Sequence, residues 1–400
     1  MMRTPFWLLV VWMHLPVCGV PQLADPVHPS DRERPGEASD SMLGASLVND
    51  SQHSRKRLTE APEYCQVMED VPGVTLADPP RPSAVHWVRA GLNTNVAVWG
   101  IQEGLLWGLP SGKRPPGGPR GLIRLWSPVL TNNQYDLINF IAIEPVVGGR
   151  RGFSELELSA LDGVPGKRLW AAPVEDPTAP LADRYPSRLR RLDSGAQELA
   201  VRVEVERFEN GAHVVLTLTH RSDLPDEVEL AVSAKPDSAP MEYCILTATM
   251  GNKARTRLLW LKDSSVSSLT LYPNYREPDF APHHFFALDR LHRTASGDVL
   301  AAISTDEINP SAVDPLPAPR HWRYRGLPVT QYWRKPAGTW RDDLQVAVNG
   351  RFTYWMSRHP IPGGIAFENF ELRERFHAGQ RSVFGITRRT PGELGFPSRP

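Results

Sequence analysis

Residues 199–219 read LAVRVEVERFENGAHVVLTLT, and this stretch decides the fold class. On both sides of Asn210-Gly211 apolar residues alternate with polar or small ones, which is the period of a β-strand with one buried face. Asn and Gly both tolerate a positive φ, so an Asn-Gly pair between two such runs is a strong signal for a β-hairpin. We therefore predict antiparallel strands over 199–208 and 214–219, joined by a turn at Asn210-Gly211.

Two more hairpins and six more strands are predicted from the same features. The hairpins combine 344–348 with 352–355 around Asn349-Gly350, and 243–249 with 257–261 around Gly251-Asn252. The single strands are 137–143, 155–161, 227–233, 268–272, 299–304 and 382–387.

Helices are predicted to be few and short. No apolar 3.6-residue period extends far along the chain, and the 39 prolines among 400 residues are well above the usual share of about 5%. Antiparallel strands, tight turns and Pro-rich loops together predict a mainly β protein, a large antiparallel β-sandwich over residues 64–400. No repeat of fixed period is present, which argues against a propeller or a solenoid.

The first 63 residues are predicted to lie outside this domain. Residues 1–19 have the pattern of a signal peptide, with Arg3 before an apolar run shorter than the ~20 residues that span a bilayer. This predicts a secreted, periplasmic or cell-surface protein with no membrane insertion after cleavage. Residues 15–18 also resemble a bacterial lipobox, so a lipid anchor at Cys18 is one alternative, and a membrane anchor that is never cleaved is another. Residues 20–63, rich in Pro, Ser and charged residues, are predicted to be a flexible leader.

Cleavage after Gly19 leaves two cysteines, Cys65 and Cys244. Two cysteines in an exported chain predict one disulfide bond. Two free buried thiols are the alternative, because a domain of this size does not need a covalent link to be stable.

Residues 320–355 combine many aromatic side chains with many arginines. Aromatic rings stack on sugar rings, and guanidinium groups pair with carboxylate or sulfate, so the combination predicts a site for an acidic polysaccharide. The alternative is that the rings fill a β core and the arginines lie over its edge. The predicted substrate-binding residues are Trp322, Arg325, Trp333 and Arg334, with Asn369 from a later strand.

Two kinds of chemistry would act on such a polymer. Cleavage by β-elimination needs a cation beside the substrate carboxylate and a Tyr or His that takes a proton, for which Tyr324, Tyr332 and His283 are the candidates. A glycoside hydrolase needs two carboxyl groups instead, and Glu368 is the candidate with Glu371 nearby.

The stretch 365–372 reads IAFENFEL and mixes apolar with acidic residues. On a regular strand Glu368 and Phe370 share one face, while Phe367, Asn369 and Glu371 share the other. Such mixed faces are unusual for a half-buried strand, so a polar group here is a functional candidate.

Composition argues against several partners. Lys plus Arg and Asp plus Glu both number 45, so no net field attracts nucleic acid. Because no zinc-binding spacing occurs, no metal cofactor is predicted. A structural calcium ion bound by loop carboxylates is left open, with Asp223, Asp226, Asp306 and Glu307 as the ligands.

The hairpin at 203–223, VEVERFENGAHVVLTLTHRSD, and the strand at 227–233 resemble the long strands of galactose-mutarotase-like sandwiches. The resemblance implies a supersandwich and a role among carbohydrate-active proteins, which include hydrolases and polysaccharide lyases. It transfers no catalytic residue to this chain.

These observations lead to one functional prediction with one alternative. We predict a secreted enzyme, a polysaccharide lyase or glycoside hydrolase, that acts on an acidic extracellular polysaccharide. The alternative is a non-catalytic carbohydrate-binding or cell-surface assembly protein, because no sequence motif supplies a clear pair of acid and base.

Overall fold

The computed structural model describes residues 85–90, 97–109, 121–127, 136–155, 166–172, 186–249, 255–306, 329–354 and 358–397. The predicted signal peptide, the predicted leader and Cys65 lie outside these residues. The described chain is mainly β, as the sequence predicts.

The strands follow one another along the chain, and helical segments are short. In order they are β1 (Trp87–Val88), β2 (Ala97–Ile101), β3 (Leu106–Leu109), β4 (Leu122–Ser127), β5 (Asp136–Val147), β6 (Arg150–Arg151), β7 (Leu169–Ala172), β8 (Arg188–Arg191), β9 (Gln197–Val205), β10 (Val214–Arg221), β11 (Leu224–Ala234), β12 (Tyr243–Thr249), β13 (Thr256–Trp260), β14 (Ser265–Ser267), β15 (His284–Ala287), β16 (His292–Arg293), β17 (Val299–Thr305), β18 (Thr330–Lys335), β19 (Gln345–Arg351), β20 (Ala366–Arg373) and β21 (Gln380–Thr387).

These strands form two antiparallel sheets in the described part of the chain. Sheet A has the order β1-β2-β3-β4-β5-β12-β20-β19-β15, with β6 added beside β5. Sheet B has the order β14-β13-β17-β18-β21-β11-β10-β9-β7, with β16 beside β17 and β8 beside β9. Strands far apart in sequence are therefore neighbours in both sheets.

The two sheets pack face to face around one apolar core. Sheet A contributes Trp99 and Trp107, whose rings stack with centroids 4.9 Å apart, and sheet B contributes Val201 and Leu216. Removal of this apolar surface from water is the main favourable contribution to folding. The prediction of an antiparallel β-sandwich is confirmed.

The hairpin at 199–219 is present as predicted. Strands β9 and β10 pair with Leu216 opposite Val203, and the connection turns at Gly211, whose φ is +90°. Only glycine adopts such a φ without strain, so the Asn-Gly signal is confirmed here.

The predicted turn at Asn349-Gly350 is wrong, because both residues lie inside β19. The φ of Gly350 is not positive, and a Cβ on Gly350 would lie 2.7 Å from the carbonyl oxygen of Ala366. Glycine is required there by the close approach of a neighbouring strand rather than by a turn.

The third predicted hairpin is wrong in its pairing, although both of its strands exist. Strand β12 belongs to sheet A and β13 to sheet B, so the chain crosses between the sheets after Thr249. An alternating pattern predicts that a segment is a strand, but it does not identify the partner strand.

The single strand predictions are mostly confirmed. The segments at 137–143, 227–233, 299–304 and 382–387 lie within β5, β11, β17 and β21, and 155–161 lies mostly outside the described residues. The segment at 268–272 forms a short helix instead, α1 (Ser268–Leu271). Its N-cap Ser267 accepts a hydrogen bond from the backbone of Leu269, which satisfies a free N–H of the first turn. Further along the described residues, 3-10 helices lie at Leu288–Arg290 and Gly392–Leu394.

The predicted disulfide is not formed in the structure. Cys244 is a free thiol with 1% of its surface exposed, and it packs in the core between the sheets. The alternative of a buried free thiol describes this residue.

Candidate active site

Three residues predicted to bind or transform a ligand, Tyr332, Trp333 and Arg334, lie in the scaffold. Trp333 is wholly buried, and its indole N–H donates to the carbonyl of Phe370 in the opposite sheet at 2.8 Å. The prediction that Trp333 lines a ligand site is therefore wrong in this structure.

Tyr332 and Arg334 both bind the structural carboxylate of Glu227. The Tyr332 hydroxyl donates to Glu227 Oε1 at 2.7 Å, and the Arg334 guanidinium pairs with Glu227 and, at 3.1 Å, with Asp298. Burial, assisted by Glu227, raises the pKa of Tyr332 far above its ordinary value. The catalytic role predicted for Tyr332 and the binding role predicted for Arg334 are thus replaced by structural ones. The remaining members of this group, Trp322, Tyr324 and Arg325, lie outside the described residues.

The other three predicted site residues converge on the face of sheet A that points away from the core. His283 directly precedes β15, while Glu368 and Asn369 lie in β20, and both strands pair with β19. All three residues therefore sit within the width of three neighbouring strands, although the sequence separates His283 from the other two.

A β-bulge in β20 explains the mixed pattern of residues 365–372. Val348 pairs with Phe370 and Gly350 pairs with Phe367, so Asn349 lies opposite two residues, Glu368 and Asn369. Phe367 and Phe370 consequently both point into the core, and the regular alternation predicted for this stretch is wrong. Bulges re-aim side chains and are common beside active sites.

Glu371 forms the centre of the polar cluster. Its Oε1 atom accepts hydrogen bonds from His283 Nε2 at 2.9 Å and from Arg151 Nη2 at 2.7 Å. Among the described residues, its second oxygen, Oε2, has no hydrogen-bond partner. A buried carboxylate oxygen without a partner is costly, so this atom is suited to meet a water molecule or a ligand.

The amide of Asn349, opposite the bulge, supports this arrangement. Its oxygen accepts a hydrogen bond from the backbone N–H of Asn369 at 3.1 Å, and its nitrogen lies 3.5 Å from His283 Nε2. The bulge therefore orients the side chain that adjoins the imidazole.

A second carboxyl group, Glu144 in β5, shares the same arginine. The Arg151 guanidinium donates to Glu144 through both Nε, at 2.9 Å, and Nη2, and the Thr247 hydroxyl donates to Glu144 Oε2 at 2.7 Å. One nitrogen of Arg151 thus joins two glutamates from different strands.

A tight turn places Arg151 beside Glu144. Gly148 and Gly149 have φ values of +57° and +73°, and they reverse the chain so that Arg151 pairs with Val146. The Gly-rich segment is therefore a turn, and the arginine that follows it returns along the strand that carries Glu144.

The environments of the two glutamates push their pKa values apart. Burial raises the pKa of Glu144 above its usual value despite the charge of Arg151. Burial also opposes ionisation of Glu371, but the hydrogen bond from His283 and the charge of Arg151 outweigh it and lower its pKa. Paired groups with opposite shifts are a recognised feature of acid and base assignments in active sites.

The imidazole and the guanidinium, not the carboxylates, reach the surface. Side-chain exposure is 24% for Arg151 and 29% for His283, against 3% for Glu144 and 1% for Glu371. A ligand that approaches sheet A therefore meets the imidazole and the guanidinium first.

Sequence reasoning missed Glu144, Arg151, Thr247 and Asn349. A weak signal exists for Glu144, which interrupts the apolar run from Ile141 to Val147. An acidic residue inside a buried strand needs a partner, but no local pattern identifies Arg151 as that partner and Glu371 as the second carboxyl group.

The described residues show neither a metal-binding cluster nor a helix that could span a membrane. In that part of the chain no group of three or more His, Cys, Asp or Glu side chains is placed to hold a metal ion. Two of the loop carboxylates considered for calcium are paired instead, Asp223 with Arg221 and Asp306 with Arg257. None of the described helices has the length and apolar character needed to cross a bilayer.

No protein-family model and no curated protein matches the chain. The function is therefore argued from the geometry of the site.

Proposed function

We propose that the chain is an exported carbohydrate-active enzyme that cleaves an acidic extracellular polysaccharide by β-elimination, with His283 as the base. The observation that carries this proposal is the network in which Glu371 holds the half-buried imidazole of His283 while the pKa of Glu144 is raised. It supplies a base and an acid within one cluster.

The hydrogen bond to Glu371 determines which nitrogen of His283 is basic. If Nε2 carries the proton that is donated to Glu371 Oε1, then Nδ1 holds the free lone pair. Among the described residues, no hydrogen bond is made to Nδ1. A carboxylate that orients an imidazole in this way also stabilises the imidazolium that forms when the base takes a proton.

Elimination fits the two carboxyl groups better than hydrolysis does. A hydrolase places its two carboxyl groups on either side of the glycosidic bond, about 5 Å or more apart, with the sugar between them. Glu144 and Glu371 instead accept from the same nitrogen of Arg151, which fills the space between them. A hydrolase that uses Glu144 and Glu371 is therefore the second candidate activity of this cluster.

The proposed step balances without consuming water or a cofactor. His283 takes the proton from the carbon beside the sugar carboxylate, and the electrons of that C–H bond form a carbon–carbon double bond. The bond from the adjacent carbon to the glycosidic oxygen breaks, and the leaving oxygen takes a proton that Glu144 gives up through a relaying water molecule that is not consumed, since the Glu144 side chain is only 3% exposed. The products are an unsaturated sugar and a free hydroxyl end.

Export and the resemblance to galactose-mutarotase-like sandwiches belong to this proposal. Support for the resemblance comes from the two large antiparallel sheets and from the polar cluster on the outer face of one of them. A non-catalytic carbohydrate-binding or surface-assembly protein remains the competing function.

The test is to incubate the protein with a panel of uronic-acid polymers and to follow ultraviolet absorbance together with the number of reducing ends. Elimination produces both an unsaturated chromophore and new ends. New ends without the chromophore would assign a hydrolase, and binding without either product would assign a binding protein.

A further inference from the structure

Arg373, at the end of β20, lies against two aromatic rings. Its guanidinium carbon is 4.5 Å from the centroid of Tyr243 and 5.8 Å from the centroid of Phe285. Both distances are within the range of cation–π attraction. In the described part of the chain the Arg373 side chain donates no hydrogen bond, so its N–H groups are able to bind a ligand.

The charge of Arg373 is not balanced by an acid in the described part of the chain. Arg151, Arg334 and Lys335 each pair with at least one carboxylate, whereas no ion pair or hydrogen bond to a carboxylate involves Arg373 among the described residues. An arginine that is half-buried, fixed by rings and without a counterion is suited to bind an external anion.

Arg373 also lies next to the proposed active site. It is two residues from Glu371 on the same strand, so both side chains lie on the outer face of sheet A. Phe285 is 51% exposed, and its ring stacks with the imidazole of His283 at a centroid distance of 6.1 Å. Phe285 therefore connects the base to the arginine.

An exposed aromatic ring beside an unpaired guanidinium presents a flat apolar surface and an anion site together. Sugars use the same two kinds of contact when they carry an acid, because the ring face stacks and the acid accepts from N–H groups. Elimination also needs a cation at the substrate carboxylate. Arg151 is already shared by Glu144 and Glu371, so Arg373 is the available group.

We propose that Arg373 binds the anionic group of the sugar on which the enzyme acts, with Phe285 as the stacking surface. This inference rests on the proposed function and specifies its substrate class as a polymer with a carboxylate or sulfate on the reacting unit. The planar fork of Arg373 binds two oxygens of the anion, a contact that lysine does not reproduce.

The experiment compares wild-type protein with Arg373→Gln, Arg373→Lys and Phe285→Ala. Arg190→Gln on sheet B, whose side chain is 53% exposed and pairs with Glu198, serves as the matched loss of one positive charge. Each protein is titrated calorimetrically with a uronic-acid oligosaccharide, its carboxyl-reduced neutral counterpart and a sulfated neutral oligosaccharide of the same length. Thermal unfolding confirms that each variant is folded.

We expect Arg373→Gln and Arg373→Lys to weaken binding of an anionic oligosaccharide by about 10- to 100-fold, as for hydrogen bonds to charged groups. Binding of the neutral counterpart should not change, and Arg190→Gln should bind like the wild type. Loss of uronate binding would assign the anion as a carboxylate, and loss of binding only for the sulfated sugar would assign it as a sulfate. Phe285→Ala should weaken the anionic and neutral sugars equally.

Equal affinities of wild type and Arg373→Gln for every sugar, or no binding by the wild type, would overturn the inference. Turnover by Glu371→Gln distinguishes a failure of the Arg373 site from a failure of the proposed function. Arg373-dependent binding with undiminished turnover in Glu371→Gln would leave the anion site standing while the catalytic proposal fails. Loss of turnover in Glu371→Gln with no effect of Arg373→Gln on binding would support the catalytic proposal and overturn the anion site.

Discussion

Lys335 of β18 and Glu374, which follows β20, form an ion pair inside the sandwich, with only 1% of each side chain exposed. Lys335 belongs to sheet B, and Glu374 directly follows the last residue of β20 in sheet A, so the pair links the two sheets. Glu374 also accepts a hydrogen bond from the backbone of Arg341 at 2.9 Å. Burial lowers the pKa of Lys335 despite the charge of its partner.

The first prediction is that Lys335→Met lowers the free energy of unfolding by about 3–5 kcal/mol, because the buried Glu374 carboxylate loses its buried counterion and keeps, among the described residues, only His377, whose Nε2 atom lies 3.4 Å away. Urea denaturation measures the change. Lys235→Met is the matched control, since Lys235 also pairs with a glutamate, Glu204, but is 21% exposed. This control should lose about 1 kcal/mol or less. Similar losses of unfolding free energy in both variants would show that burial does not increase the contribution of the Lys335–Glu374 pair to stability.

The second prediction concerns the buried imidazole of His220. Its Nε2 atom lies 3.0 Å from the carbonyl oxygen of Pro225, its ring packs edge-on against Trp87, and burial lowers its pKa to about 4. The unfolded chain takes up this proton near pH 6.5 and the folded chain only near pH 4, so stability is complete above pH 6.5 and falls as the pH decreases towards 4. This difference between the folded and unfolded chain corresponds to roughly 3 kcal/mol of stability.

His220→Gln keeps a donor for the Pro225 carbonyl and removes the titration. Its free energy of unfolding should therefore lose most of the acid dependence that the wild type shows between pH 6.5 and 4.5. His86→Gln, at a side chain that is 40% exposed, should retain the wild-type dependence. Identical pH profiles for wild type and His220→Gln would contradict the assignment.

The third prediction concerns Cys244. Burial raises the pKa of this thiol to about 12, with a smaller contribution from Glu144. Alkylating reagents attack the thiolate, so iodoacetamide should leave Cys244 unmodified in the native protein and modify it after denaturation. Peptide mapping without reduction measures this. A peptide in which Cys244 is bonded to Cys65, or fast native alkylation of Cys244, would be the opposite result.

The parts of the fold that sequence predicts are those with local causes. The β9–β10 hairpin follows from a turn and two alternating runs within one short segment. The turn predicted at Asn349-Gly350 is wrong because the same dipeptide also suits a strand opposite a bulge, where glycine is needed for the close approach of Ala366. The local pattern is identical, and only the neighbouring strand distinguishes the two.

The candidate site shows the same limit. Glu368 and Asn369 could be singled out because polar residues in β segments are unusual, and His283 because an imidazole can take a proton. Their relation to Glu144 and Arg151 could not, since Arg151 and Glu371 are 220 residues apart and meet through strands paired across the sheet. The aromatic and arginine cluster around Trp333 misled for a related reason. Core packing and ligand binding use the same residue types, and burial alone separates them.

The fourth prediction is that Glu144 acts as the acid. Because burial raises its pKa, Glu144 keeps its proton to higher pH than an ordinary glutamate. Glu144→Gln should lower kcat by about 100-fold or more, the usual contribution of a general acid. The wild-type kcat/KM should fall as Glu144 deprotonates with rising pH, and the residual activity of Glu144→Gln should lack this decrease. Glu103→Gln, at a side chain that is 64% exposed, is the control and should behave as the wild type. Full activity in Glu144→Gln would exclude Glu144 as the acid.

The last prediction concerns His283 and Glu371 as one catalytic unit. His283→Gln should lower kcat by about 100- to 10,000-fold, since it removes the base, while KM changes little because the lost contact belongs to the transition state. His284→Gln is a closely matched control, because His284 is the next residue and lies edge-on against Tyr272, 5.0 Å between ring centroids, rather than against Glu371. Glu371→Gln should reduce kcat too, and the double variant should be little worse than His283→Gln alone, because groups that act together are not additive. If the two effects multiply, Glu371 does not work through His283. If His284→Gln is as damaging as His283→Gln, the imidazole of His283 is not the base.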